Sequence, residues 1–307
     1  MELQTKSLVL GDRVLTWGSR TYLMGILNVT PDSFSGDGLF ASFVEDPGES
    51  AQQSHLDRTL SLANRFVSAG VDILDVGGES TRPGSSPVSA EAELERVVPV
   101  IEALASEFDV LISIDTYKHE VAQAALEAGA HLVNDVWGLK ADAELAAATA
   151  RLKAPIILMH NRSSWVHAEI KERLGGRYID VPYDNLLEDI KRELMESVDL
   201  ARDAGISENK IILDPGIGFG KTVEQNLELI NRLPEIRELG YPILIGPSRK
   251  SFIGYTLNLP PNQRLEGTAA AVAVGIVRGA DIVRVHDVEF MSRVVRMTDA
   301  IIRHADG

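Results

Sequence analysis

Eight short, apolar, β-branched segments recur along the chain, each followed by helical spacing, and this repetition limits the fold more than any other feature. They begin near Tyr22, Asp72, Val110, His131, Pro155, Ile211, Pro242 and Asp281, and read LMGILNV, DILDVGG, VLISIDT, HLVNDV, PIILMH, IILDPG, PILIGPS and DIVRVHD. The runs are near-continuous rather than alternating, as expected of parallel strands covered on the outside. Between them, Leu94, Val97, Ile101, Leu104 and Phe108 recur at helical steps, as do Ile190, Leu194, Val198 and Ala201. Val223, Leu227, Ile230 and Leu233 do the same behind a capping box of Thr222 and Gln225, and Ala269, Val272 and Ile276 mark a penultimate outer helix. Gly70, Gly129, Gly205, Gly240 and Gly279 each precede a strand, where an αβ loop needs positive φ. Eight such units predict an α/β fold, a (β/α)8 TIM barrel. The runner-up is an open doubly wound sheet, but the G-x-G-x-x-G turn after its first strand is missing.

Ahead of the first unit, Ser7–Leu10 and Val14–Trp17 flank Gly11 and Asp12, a short N-terminal β-hairpin. The polar stretches 35–50, 160–182 and 254–263 read as enlarged βα loops rather than linkers, so residues 1–307 are expected to form a single domain. Hydrophobic residues make up 45% of the chain, enough for one large core, and the net charge of −15 argues against a nucleic-acid surface. With no cysteine there is no disulfide, thiolate nucleophile or Cys-based metal site. Neither a signal peptide nor a membrane-length apolar run is visible, and a cytoplasmic location is expected.

Nearly every strand ends in a chemically specific group: Asn28; Glu79 to Arg82; Asp115; Asn134 and Asp135; His160; Asp214; Ser248, Arg249 and Lys250; Arg284 and His286. In a barrel these positions converge on one mouth. Singly, each could be a loop cap or a surface group. Asp115, Asn134 and Asp214 lie on strands with packed inward faces and need partners there. A ligand with several N–H donors and ring acceptors would satisfy them; the alternative is an internal network with Lys250 or a strand-end arginine. Arg82, Arg249, Lys250, Arg284 and His286 bring positive charge suited to phosphate or carboxylate oxygens.

Lys221 and Thr222 follow a glycine-rich turn of Gly216, Gly218 and Gly220, but proline at 215 breaks the G-x-x-x-x-G-K-[ST] pattern and argues against nucleotide hydrolysis. The first loop, Asn28 to Ser35 followed by Gly36, Asp37 and Gly38, has the small residues of a segment that closes over a site. An ordinary turn with Asp32 exposed is the alternative.

The chain resembles the dihydropteroate synthase family through residues 22–290. The resemblance rests on ILNVTPDSFS (26–35), DVGGESTRPGS (75–85), SIDT (113–116), VNDV (133–136), DPGIGFGK (214–221), SRKSFIG (248–254) and RVHDV (284–288), in the family's order. It implies condensation of 4-aminobenzoate with (7,8-dihydropterin-6-yl)methyl diphosphate. It further implies pterin contacts from Asp115, Asn134, Met159, Asp214, Phe219, Lys250 and Arg284, and diphosphate contacts from Asn28, Arg82, Arg284 and His286. Thr81, Arg82, Pro83, Ser248 and Lys250 would line the aminobenzoate site, Mg²⁺ would sit on Asn28, and Asp32, Asp115, Lys250 and Arg82 would carry the chemistry. The implied mechanism is dissociative, with a pterin cation stabilised by Asp32 and Asp115. A homodimer is expected from the same resemblance.

Three positions depart from the family pattern. Gly36 displaces Asp37 by one residue in the first loop, Asn161 and Arg162 follow His160, and Pro247 precedes the Ser-Arg-Lys run. Three rival readings are a methyltetrahydrofolate–corrinoid methyltransferase module, a non-catalytic paralogue and a Schiff-base aldolase through Lys250. The first needs no anion cluster, the second predicts a damaged loop motif, and the third has no use for an anion pocket.

Overall fold

The computed structural model describes residues 6–30, 51–80, 87–171 and 173–303. Two short antiparallel strands, β1 (Ser7–Leu10) and β2 (Arg13–Thr16), form the expected hairpin, turning at Gly11 with φ of 62°. Eight parallel strands follow: β3 (Tyr22–Asn28), β4 (Ile73–Gly77), β5 (Leu111–Asp115), β6 (Leu132–Asp135), β7 (Ile156–Met159), β10 (Ile211–Asp214), β11 (Leu244–Ile245) and β12 (Ile282–Val285). Their order is β10-β7-β6-β5-β4-β3-β12-β11, and a parallel bridge between Leu213 and Ile243 joins the two ends. The barrel expected from the eight-fold repeat is therefore observed.

Helices α1 (Ala51–Ser68), α2 (Ala90–Glu107), α3 (His119–Glu127), α4 (Leu145–Arg151) and α5 (Leu186–Asp203) cover the outside. They are followed by α6 (Val223–Asn231), α7 (Leu233–Arg237), α8 (Ser251–Leu257), α9 (Leu265–Val277) and α10 (Val288–Ile302). The capping box of Thr222 and Gln225 starts α6 as anticipated, but Leu233 opens a separate helix. The stretch 254–263 is partly helical, since α8 runs to Leu257. The stretch 160–182 carries a second hairpin, β8 (Ala168–Lys171) with β9 (Gly175–Tyr178).

Period-two geometry divides the barrel interior into two layers. In the lower layer Tyr22, Met24, Ile73, Leu111, Leu132, Ile157, Ile212, Leu244 and Ile282 cluster with Leu8, Leu10, Leu15 and Trp17 of the first hairpin, which plugs the base. Two residues further along the same faces come Asp75, Ser113, Asn134, Met159, Asp214, Gly246 and Arg284. The alternate residues of each strand point outward into the larger core shared with the helices. Continuous hydrophobicity thus hides a change of character along most inward faces, with an apolar residue low in the barrel and a polar or small one above it, Ile26 and Met159 being the apolar exceptions.

Candidate active site

The upper layer is organised around Arg284. Its Nε donates to Asp75 Oδ2 at 2.5 Å and its Nη2 to Asp115 Oδ2 at 2.5 Å. Asn134 Nδ2 also donates to Asp75 Oδ2, at 3.2 Å. Burial works against the Arg284 charge, but Asp75 and Asp115 more than offset it and hold the guanidinium above its ordinary pKa. Burial pushes Asp115 up to about 7; Arg284 opposes that rise, while Asp75, Glu93 and Asp135 add to it. Asp75 Oδ1 and Ser113 Oγ, on register-paired residues of β4 and β5, are buried without a hydrogen-bond partner among the described residues. Fully buried polar atoms are seldom left so.

Across the mouth, Asp214 ends β10 and receives the Gly216 N–H on Oδ1 at 2.7 Å. Burial raises its pKa, opposed by Lys250, the Gly216 N–H, Lys221 and Arg284. Lys250 Nζ donates to the Ile217 carbonyl and lies 4.3 Å from the Phe219 ring centroid. Burial lowers Lys250 to about 7, with Asp214 and Asp115 resisting and Arg284 adding to the fall. Gly218, with φ of +82°, permits this close approach: a Cβ there would stand 2.6 Å from Lys250 Cδ. Met159, buried at the end of β7, pairs in register with Asp214.

Ser248, buried after β11, accepts the His286 N–H at 3.1 Å and lies 3.0 Å from His286 Nδ1. Asn28 ends β3 opposite Gly77, which in turn pairs with Asp115. The fold therefore gathers Asn28, Asp115, Asn134, Met159, Asp214, Phe219, Ser248, Lys250, Arg284 and His286 at the C-terminal ends of the strands. Asp32, Asp37, Thr81, Arg82 and Pro83 lie outside the described residues.

Several strand-end groups have other duties, among them Glu79, which pairs with Lys118 and accepts from the Tyr117 hydroxyl. Arg249 forms a bidentate pair with Asp287, Nε to Oδ2 at 2.9 Å and Nη2 to Oδ1 at 2.5 Å, rather than offering its fork to a ligand. Asp135 caps the next turn, accepting from the backbone N–H groups of Trp137 and Leu139. His160 turns toward Lys221 and Glu193. Asp75 was missed as a site residue, although a carboxylate in the middle of an apolar strand, two residues after an inward-facing Ile73, marks it. His119, Glu120 and Asp142 have metal-ligand spacing, with their ligand atoms within 4.8 Å of one another. Asp142 is nonetheless engaged as a cap, accepting from His119 N–H at 2.8 Å.

Buried carboxylates and an amide beside a lysine, an arginine and a histidine at the C-terminal end of a barrel define the class of site. A family model described as pterin binding enzyme matches residues 24–286. The chain is 49% identical over 295 residues to the dihydropteroate synthase of Clostridium beijerinckii, covering 96% of this chain and 99% of that protein. Among solved structures, the Clostridium difficile dihydropteroate synthase determined in the presence of pteroic acid aligns with a TM-score of 0.81 and 47% identity, over 94% of this chain and 98% of that one. The Yersinia pestis enzyme in a sulfonamide drug complex aligns with a TM-score of 0.84 and 40% identity, over 98% and 100%. The chain belongs to the dihydropteroate synthase family.

Proposed function

We infer that the chain catalyses the dihydropteroate synthase reaction. The C–O bond between the pterin methylene and diphosphate breaks, the amine of 4-aminobenzoate forms a C–N bond to that carbon, and the amine gives up a proton. The products are 7,8-dihydropteroate and diphosphate. The observation that carries this reading is the upper layer, where Asp115, Asn134 and Asp214 face a mouth that Lys250 and Arg284 also enter.

The proposed residue roles follow from donor and acceptor capacity. Asp115 and Asp214 accept from the 2-amino and ring N–H groups, Asn134 can do either, and Lys250 donates to ring acceptors. Arg284 holds Asp115 in place and lends charge to the departing diphosphate, together with His286 and Asn28. Phe219 and Met159 pack beside the ring. Thr81, Arg82, Pro83, Ser248 and Lys250 are proposed for aminobenzoate, on the family resemblance. A dissociative path leaves positive charge on the pterin, which Asp115 and, by resemblance, Asp32 would stabilise. A Schiff base through Lys250 is disfavoured by its contacts, which turn Nζ to the Ile217 carbonyl and the Phe219 ring.

Mg²⁺ belongs to the same proposal. A hard cation that retains waters and is shared with phosphate oxygens needs only one or two oxygen donors from the protein. Asn28 fits: it stands at the strand end, and among the described residues its side-chain amide has no hydrogen-bond partner. Bound there, the ion would neutralise charge building on the leaving diphosphate. A homodimer is likewise proposed, supported by exposed Val274 and Val277 on α9 and Met297 and Ile301 on α10. A cytoplasmic setting is also proposed, consistent with the cysteine-free sequence; no helix is long and apolar enough to cross a membrane among the described residues. The reaction is tested by following diphosphate release with and without 4-aminobenzoate. Release that requires the amine, with dihydropteroate formed, is expected; absence of both overturns the assignment.

A further inference from the structure

Lys221, the lysine of the failed nucleotide motif, is 2% exposed and lies beneath the turn that follows β10. Its Nζ is 2.9 Å from the Gly216 carbonyl oxygen, 3.0 Å from that of Phe219 and 2.9 Å from His160 Nδ1. Three acceptors on one nitrogen call for three hydrogens. A neutral amine has two, and would point its lone pair at an acceptor. Burial, with Lys250 and Arg162 adding to it and Asp214 and Glu193 opposing, holds the Lys221 pKa well below its ordinary value; it is the geometry of three acceptors that favours the ammonium.

The next link fixes the histidine tautomer. With Nδ1 accepting from Lys221, a neutral His160 carries its proton on Nε2, which lies 3.0 Å from Glu193 Oε2. Burial, reinforced by the Lys221 charge, pushes His160 down to about 3, so the imidazole is neutral. Burial opposes ionisation of Glu193, yet hydrogen bonds from His160 and Arg162 hold it well below the usual carboxylate range. The chain of contacts therefore runs from the turn through Lys221, His160 and Glu193 to Arg162, anchoring the turn on α5.

That turn builds one side of the mouth. The Gly216 N–H holds Asp214, the Ile217 carbonyl receives Lys250, and Phe219 lies against the Lys250 ammonium. Gly216, at φ of +72°, rests on the His160 carbonyl so closely that an added Cβ would stand 1.8 Å from its oxygen. We propose that Lys221 is a positioning residue for pterin binding: by pegging the Gly216 and Phe219 carbonyls to His160, it sets the turn that presents Asp214 and Phe219 and supports Lys250. The proposal rests on the reading of Asp214 as a pterin contact.

Lys221→Met is expected to raise the KM for the pterin diphosphate about tenfold while leaving the KM for 4-aminobenzoate within about twofold. It should also move the acid limb of the pterin kcat/KM profile, to which Asp214 contributes beside Asp115, to higher pH, because Asp214 loses a neighbouring cation. The other charges facing Asp214 are Lys250 and Arg284; those facing Lys221 are Asp214, Lys250, Glu193 and Arg162. A role in stability alone would lower the active fraction and move neither the KM ratio nor the limb. Should Lys221→Met not fold, His160→Gln supplies the test. It disturbs one Lys221 partner and should raise only the pterin KM, by about threefold. Unchanged pterin KM in either folded variant, or equal loss toward both substrates, overturns the proposal. A wild-type enzyme that still requires 4-aminobenzoate for diphosphate release keeps the functional reading intact in that event.

Discussion

Leu111 and Asp115 stand on the same face of β5, four residues apart, yet they belong to different halves of the barrel interior. Leu111 joins Met24, Ile73, Leu132, Ile157, Ile212, Leu244 and Ile282 in a layer sealed by the N-terminal hairpin. Asp115 joins Asp75, Asn134, Asp214 and Arg284 in a layer where charge is buried and the Asp115 pKa is displaced to about 7. The lower half gains from removing apolar surface from water. The upper half carries desolvation penalties: neighbouring charges outweigh burial at Arg284 but only partly offset it at Asp115, Asp214 and Lys250. A fold needing stability alone would repeat the lower layer upward, so the upper layer marks what the chemistry requires.

The sharpest way to break this comparison is to substitute each half of β5. Asp115→Ala should lower kcat/KM for the pterin diphosphate by about 100- to 1000-fold, the loss expected when hydrogen bonds to a charged acceptor disappear. Its denaturation midpoint should change far less than its activity; steady-state kinetics beside a urea melt would show an activity effect only if Asp115 faces the ligand. Leu111→Ala should do the reverse. It should cost about 2–5 kcal/mol of stability through the cavity it leaves, with kcat preserved in the folded fraction. A Leu111→Ala protein as stable as the wild type would remove the division between the halves.

The pH dependence sharpens the account of the upper half. On the proposed reading, pterin capture uses Asp115 as an acceptor and Lys250 as a cation, and burial brings both to about 7. The kcat/KM should fall below neutrality as Asp115 takes up a proton, and fall again above it as Lys250 loses one. The two limbs belong to the coupled set of groups rather than to either residue alone. Lys250→Arg should carry the alkaline limb outward, since a guanidinium stays charged. A broad plateau in the wild type would contradict the buried pair.

The smallest effect is expected outside both layers. Thr222→Ala removes the side-chain half of the α6 capping box and should cost about 1 kcal/mol in a denaturant melt, with modest change in KM.

The eight strands, the hairpin and the α6 cap were legible because each depends on local pattern: apolar runs, turn residues and capping spacing. That Asp115, Asn134, Asp214 and Lys250 gather at one end of the barrel was legible because strand ends converge there. The roles of Arg249, His160 and Lys221 were not. Whether a strand-end side chain faces the mouth or an outer helix depends on side-chain direction and on partners distant in sequence, such as Asp287 and Glu193. Asp75 was hidden for a related reason: the outward residues of β4 are also apolar, which masks the alternation that points it inward.

The most direct measurement is a crystal structure with the pterin diphosphate bound. The ring should lie between Asp115, Asn134 and Asp214, with Lys250 at its edge and the diphosphate toward Asn28 and His286. A ring bound away from Asp214, or seated outside the upper layer, would contradict the account.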